Sequence, residues 1–256
     1  MADALPSRGS DGASASFRGM EKLVYGLWRR PDQDVDPVRT SLLDKVAPAL
    51  LELGVDGLRI EVEEPAGQIL RTGANPDGSL LCGSVSIWLD SYDHRGPHEE
   101  AIAAAGTTAY GWIVAESISK AYGENRSWAD GVVSPGMSIL TFLDKGEGIS
   151  DDDFYRIWHG EHTPLTFEMH PFWLYVRNQV LRPVTDGAPA VRGIVYEAVA
   201  TDEELVELPR LFGCADDPGR LMDQIARIDA HIATFANPAT LQCVTTREWI
   251  FKTLSS

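Results

Sequence analysis

The sequence predicts an α+β protein made of two tandem ferredoxin-like (βαββαβ) repeats, antiparallel sheets with helices outside. Three observations carry this reading. The order strand, helix, strand, strand, helix, strand runs twice through the 256 residues. The strands Ser84–Asp90 (SVSIWLD) and Val191–Val199 (VRGIVYEAV) alternate so that both faces call for burial. Helices cover only one face of a ferredoxin-like sheet, so two such sheets in one chain can cover each other.

The first pass opens with a strand over Lys22–Arg29 (KLVYGLWR). A helix follows over 37–53, with Asp36 as N-cap, Pro37 at its first position and Gly54 as terminator. Pro48 inside it is expected to kink or interrupt it, having no N–H to give. Strands at 58–63 and 84–90 are separated by a polar connection, Gly73 to Gly78. A short helix at 98–105 and a strand at 108–119 complete the unit. The segment 122–135 (YGENRSWADGVVSP) is rich in Gly, Asn, Ser and Pro and reads as the linker.

The second pass starts at Gly136 with a strand over 137–143 (MSILTFL). Its first helix has the clearest start in the chain. Ser150 is the N-cap, and Asp151, Asp152 and Asp153 place negative charge where the helix dipole favours it. Strands follow at 172–181 and 191–199. A long helical stretch, 202–235, breaks near Gly213–Gly219, and a last strand covers 242–252. The expected divisions are therefore a flexible tail at 1–20, a first unit at 21–121, the linker, and a second unit at 136–256. The tail is rich in Ser, Gly, Ala and Asp, and Met20 stands as a second candidate for the start.

Composition excludes several functions. A net charge of −16 repels nucleic acid and anionic membranes. No run of 18 apolar residues would span a bilayer. Cys82, Cys214 and Cys243 are odd in number and widely spaced, which argues against a disulfide framework and for a reducing cytoplasm. Neither a GxGxxG nor a GxxxxGK[ST] loop is present, so no nucleotide cofactor is expected.

Chemistry concentrates in Ser150–Asn178, SDDDFYRIWHGEHTPLTFEMHPFWLYVRN. Phe154, Ile157, Trp158 and His162 share one helix face. An imidazole there is partly desolvated and titrates near neutrality, which suits a general acid or base. His159 lies one turn away. Tyr175 and Asn178 on the next strand could bond a developing enolate or phenolate. They are three apart, so a regular strand puts them on opposite faces. Phe154, Tyr155 and Trp158 would line an aromatic pocket, with His170 at its rim. No HExxH or Cys/His set completes a metal site, so none is expected.

The motif DFYRIWHGEHTPL, with Trp158 and His162 four apart and Pro164 following, resembles the EthD domain of the dimeric α+β barrel superfamily. The strands WLYVRN and VRGIVYEAV extend the likeness over 137–252. The first half shares the order of elements but not the Trp-x-x-x-His signature. The resemblance implies a fused dimeric α+β barrel, with a pocket between sheet and helices, and it favours Tyr175 over Asn178 as the partner of His162. The leading expectation is a cofactor-independent acid–base enzyme of lyase, isomerase or cyclase type. Its substrate would be a hydrophobic aromatic or polyketide-like small molecule of degradative or secondary metabolism. The catalytic residues would be His162, His159 and Tyr175, with Trp158, Tyr155, Asn178, His170 and Phe154 binding substrate. Two alternatives stay open: a cofactor-free or haem-dependent oxidoreductase acting on an aromatic, and a non-catalytic small-ligand binding protein. A homodimer is compatible with all three.

Overall fold

Eight antiparallel strands close on themselves in the computed structural model, which describes residues 19–64, 70–122 and 126–254. The first 18 residues, most of the expected tail, lie outside the described residues. The first four barrel strands are β1 (Glu21–Arg29), β2 (Gly57–Glu63), β4 (Leu80–Leu89) and β5 (Thr108–Lys120). The second four are β6 (Ser138–Leu143), β7 (Leu174–Pro183), β8 (Gly193–Ala198) and β9 (Gln242–Lys252). The order is β2-β4-β1-β5-β7-β8-β6-β9, with β9 pairing back onto β2. The two-residue β3 (Arg71–Thr72), which the sequence did not suggest, adds to β9 beyond the end of β2.

The fold is the fused dimeric α+β barrel. Each half keeps the ferredoxin-like order, β2-β4-β1-β5 and β7-β8-β6-β9. The halves face one another across the barrel, and they are also hydrogen-bonded edge to edge through β5–β7 and β2–β9. Closure pairs each of the eight barrel strands on both sides, which reduces the hazard of unpaired strand N–H and C=O groups.

Helices lie outside. In the first half α1 spans 35–52 and α2 spans Gly96–Ala103. In the second, α3 spans 151–169, followed by α4 (Asp202–Val206), α5 (Leu208–Leu211) and α6 (Leu221–Ile232). Two details differ from the sequence reading. The first helix is capped by Asp34, whose side chain accepts from the Asp36 N–H, two residues earlier than expected. Pro48 does not break the helix. A π-helical turn at Leu42–Val46 precedes it and absorbs one extra residue, so the helix continues past the missing donor.

The same device recurs in α3, where Trp158–His162 forms a π-helical turn two residues ahead of Pro164. The two halves therefore align residue by residue here. Leu42 and Val46 stand where Trp158 and His162 stand. In the first half, Leu42, Val46, Leu58, Ile60, Val85 and Ile87 are all buried and fill the space between helix and sheet. In the second half the corresponding space is filled only in part, and a cavity remains.

The barrel interior is divided. One end is aromatic, with Trp28, Trp112 and Phe142 in edge-to-face and tilted contacts. The other end is charged. Arg59 pairs with Glu248 at 3.0 Å, Lys22 with Glu116 at 2.6 Å, and Glu61 accepts from Thr246 at 2.8 Å. Burial and the neighbouring Glu248 push the Glu61 carboxyl up to about 8. A carboxyl raised in the fold costs stability as pH climbs, because ionisation is easier in the unfolded chain. The penalty begins above the unfolded value of about 4.3 and is complete above the folded one. Thermal melts from pH 5 to pH 9 should accordingly show Tm falling, with Glu61→Gln flattening the fall and matching the parent at pH 5. An unchanged slope in the variant would refute this account.

Candidate active site

Between the outer face of the second sheet and its helices lies a cavity of about 190 Å³. Its floor is the strand register itself. Ile139, Thr141, Tyr175, Val195, Glu197 and Cys243 come from β6, β7, β8 and β9. Alternation sends these outward, whereas Leu140, Val176, Ile194 and Tyr196 point into the barrel. Helix α3 contributes Trp158, His162 and Thr166, and α6 contributes Ile228, Asp229 and Ile232. His170, Phe172, Leu211, Phe212 and Phe235 add to the wall.

Glu197 is the outstanding group. It is flanked in register by Tyr175 on β7 and Ile139 on β6. It makes no hydrogen bond or ion pair among the described residues, and burial alone pushes its carboxyl up to about 8. Its charge reaches its neighbours: Cys243 is pushed up to about 12 by burial and by Glu197. Burial, helped by Glu197, likewise raises the Tyr175 phenol. A half-buried, desolvated carboxyl with no partner, in a cleft, has the environment of a catalytic base. The sequence reading missed it. The signal was a Glu in the apolar strand VRGIVYEAV, and its meaning depended on which face the helices cover.

Of the residues expected in the site, four line the cavity: His162, Tyr175, Trp158 and His170. His162 is buried, its ring 5.3 Å from that of His231 and 5.1 Å from that of Phe235, and its Nδ1 has no partner. Burial, with His231 and His170 nearby, lowers its pKa to about 3. Burial thus favours the neutral imidazole, in which one ring nitrogen bears a proton and the other is free to accept one. His231 packs on His162, and His98 of the first half is buried.

Tyr175 presents its ring to the cavity, while its hydroxyl lies among the Thr163 and Trp158 side chains. Trp158 is fully buried and lies against Gly193, where an added Cβ would come within 2.6 Å of the indole. His170 donates from Nδ1 to the Leu211 carbonyl at 2.7 Å.

The other four lie elsewhere. The His159 ring packs at a tilt against Trp158, 4.8 Å between centroids and outside the cavity, and burial with Arg177 lowers its pKa to about 4. The Tyr155 hydroxyl donates to the Arg192 carbonyl at 3.2 Å. Phe154 is buried between Trp158 and Phe235. Asn178 is on the face opposite Tyr175 and donates to the Ile194 carbonyl at 3.1 Å. The π-helical turn explains part of this, since it widens the angular step between His159 and His162.

Among the described residues no three His, Cys, Asp or Glu side chains are placed to hold a metal ion, and no helix is long and apolar enough to cross a membrane. Haem, implied by distant branches of the superfamily, does not fit. An apolar cavity of roughly 150 Å³ accepts a benzene ring, and 190 Å³ falls far short of a porphyrin. The charged residues lining it, Glu197 and Asp229, are acidic and would repel propionates.

Comparison with known proteins is informative through structure alone. No family model matches the chain, and no curated protein matches it. A solved anthrone oxidase-like protein superposes with a TM-score of 0.52 at 13% identity, covering 92% of this chain and 95% of its own. A candidate monooxygenase from Lactobacillus acidophilus gives a TM-score of 0.45 at 8% identity, covering 91% and 97%. A mutant chlorite dismutase from Candidatus Nitrospira defluvii gives 0.42 at 9%, covering 88% and 90%. The first of these likenesses supports the dimeric α+β barrel fold that the strand order shows. The name that the anthrone oxidase-like protein carries is that of an oxidising enzyme and not of a lyase or isomerase. The expectation of a lyase, isomerase or cyclase is corrected accordingly.

Proposed function

We propose that the protein is an oxidoreductase that uses molecular oxygen to oxidise a small activated aromatic, with Glu197 as the base. The observation that carries this reading is the unpartnered Glu197 carboxyl on the floor of an apolar cavity, its pKa raised to about 8. A carboxylate of that basicity removes a proton from a phenol or an activated C–H far better than an exposed one. The resulting phenolate or enolate is rich enough in electrons to reduce oxygen. The carbon para to the phenolate, or the enolate carbon, forms a C–O bond with O₂. The hydroperoxide then loses water, taking the proton held on Glu197. The substrate loses two hydrogens and gains one oxygen atom, the second oxygen leaves as water, and the substrate itself is the reductant.

The neutral imidazoles of His162 and His170 bind and orient, and Trp158 and Tyr175 form walls that exclude water. The anthrone oxidase-like neighbour supports the reaction class, and the Trp-x-x-x-His signature supports an EthD-type second half. The chain divides, in this reading, into 21–121 as a structural unit, a linker at 122–135, and 136–256 as the unit carrying the site. An oxygen electrode tests the proposal with a panel of single-ring phenols and aryl ketones. One O₂ should be consumed per molecule of substrate oxidised. Substrate converted with no oxygen uptake, or recovered unchanged across the panel, would overturn it.

A further inference from the structure

We propose that the cavity selects an uncharged single-ring phenol and that His170 is the specificity-determining residue, its Nε2 accepting a hydroxyl from the ring. This rests on the oxidation reading above and names its substrate class. The Leu211 carbonyl can only accept, so the Nδ1 that lies 2.7 Å from it must carry the imidazole proton. Nε2 is then left with a lone pair on a ring that lines the cavity. The ring is held in place by Phe172 and Phe212, each 5.1 Å away centroid to centroid. Burial keeps it neutral by lowering its pKa, so the lone pair persists at working pH.

The surroundings narrow the substrate further. A volume of about 190 Å³ admits one ring with a small substituent. No Lys or Arg lines the cavity among the described residues, and Glu197 and Asp229 do. A carboxylate or phosphate would therefore be desolvated without a countercharge. An ammonium would pair with Glu197 and draw down the basicity that the reaction needs, so it would bind without being turned over. A hydrocarbon would leave the His170 lone pair unmet, and a buried acceptor without a donor is costly. What remains is a neutral ring bearing a hydroxyl.

Calorimetric titration of the full chain at pH 7 with phenol, toluene and benzoate tests this independently of turnover. Phenol should bind about tenfold or more tightly than each of the others. His170→Phe should abolish the preference of phenol over toluene, and His170→Gln, which keeps an acceptor, should retain it. Benzoate binding as tightly as phenol overturns the proposal. So does phenol binding no better than toluene, or a preference that survives in His170→Phe. Since the wild-type series suffices, a variant that fails to fold leaves the test intact. Oxygen uptake without this selectivity sinks the specificity alone, and selectivity without oxygen uptake sinks the oxidation alone.

Discussion

Replacing Glu197 with Gln should lower turnover by about 10²–10⁴-fold, the usual contribution of a positioned base, while the fold stays intact. Gln matches Glu in shape and cannot take a proton, so substrate binding should persist as chemistry is lost. The parent enzyme should gain about tenfold in kcat/KM per pH unit on the acid side and level off near pH 8. That limb belongs to Glu197, because His162 and His170 are both shifted to lower values and are already neutral there. Stability should move the opposite way. The folded pKa of Glu197 lies above the unfolded one, so its ionisation penalises the fold as pH rises through about 8. Glu197→Gln removes that penalty, and the variant should melt higher than the parent at pH 9 and equally at pH 4. A group that lowers stability where it raises activity is the signature of a strained functional site. Full turnover in the Gln variant, or a pH limb unchanged by it, would remove Glu197 from the chemistry.

How much of this the sequence disclosed follows from the range of the interactions involved. Ser150 caps α3 as its spacing suggests, accepting from the Asp153 N–H at 3.0 Å, because a cap is settled within one turn. The strand Gln242–Lys252 was legible to the residue for the same reason: its alternation is local. The π-helical turns were not. Nothing in LLDKVAP or WHGEHTP marks an extra residue except the proline after it, and a proline is equally consistent with a break. The edge pairings β5–β7 and β2–β9 join segments far apart in the chain, and alternation says that a face is buried without saying by what. Glu197 fell into that gap. Its neighbours Tyr175 and Ile139 become neighbours only through strand register. His162 was found by its place on the helix, but its charge state was misjudged, because desolvation depends on His231 and Phe235 from a distant segment.

Truncating Trp158 to Ala should cost about 3–5 kcal/mol, the range for a fully buried Trp or Phe, and a double-mutant cycle with Gly193 should show why that residue is glycine. The indole is fully buried in the cluster that includes Phe154, Phe235 and Tyr175. Its outer carbons lie 2.6 Å from where a Cβ on Gly193 would stand. A methyl there must displace the ring, and overpacking of this kind costs about 1–3 kcal/mol. The interference requires both partners. Gly193→Ala should therefore be nearly neutral once Trp158 is Ala, giving a coupling energy of about 1–2 kcal/mol by urea denaturation. Trp158→Leu should be milder than Trp158→Ala, since Leu42 holds the same place in the first half and fills its core there. Activity adds a second readout. Trp158 and Glu197 line the same cavity, so Gly193→Ala should lower turnover by shifting the wall even where the protein remains folded. An equal cost for Gly193→Ala in both backgrounds would mean that the indole is not the obstacle. The glycine would then serve the backbone of β8, and the shape of the cavity would owe nothing to it.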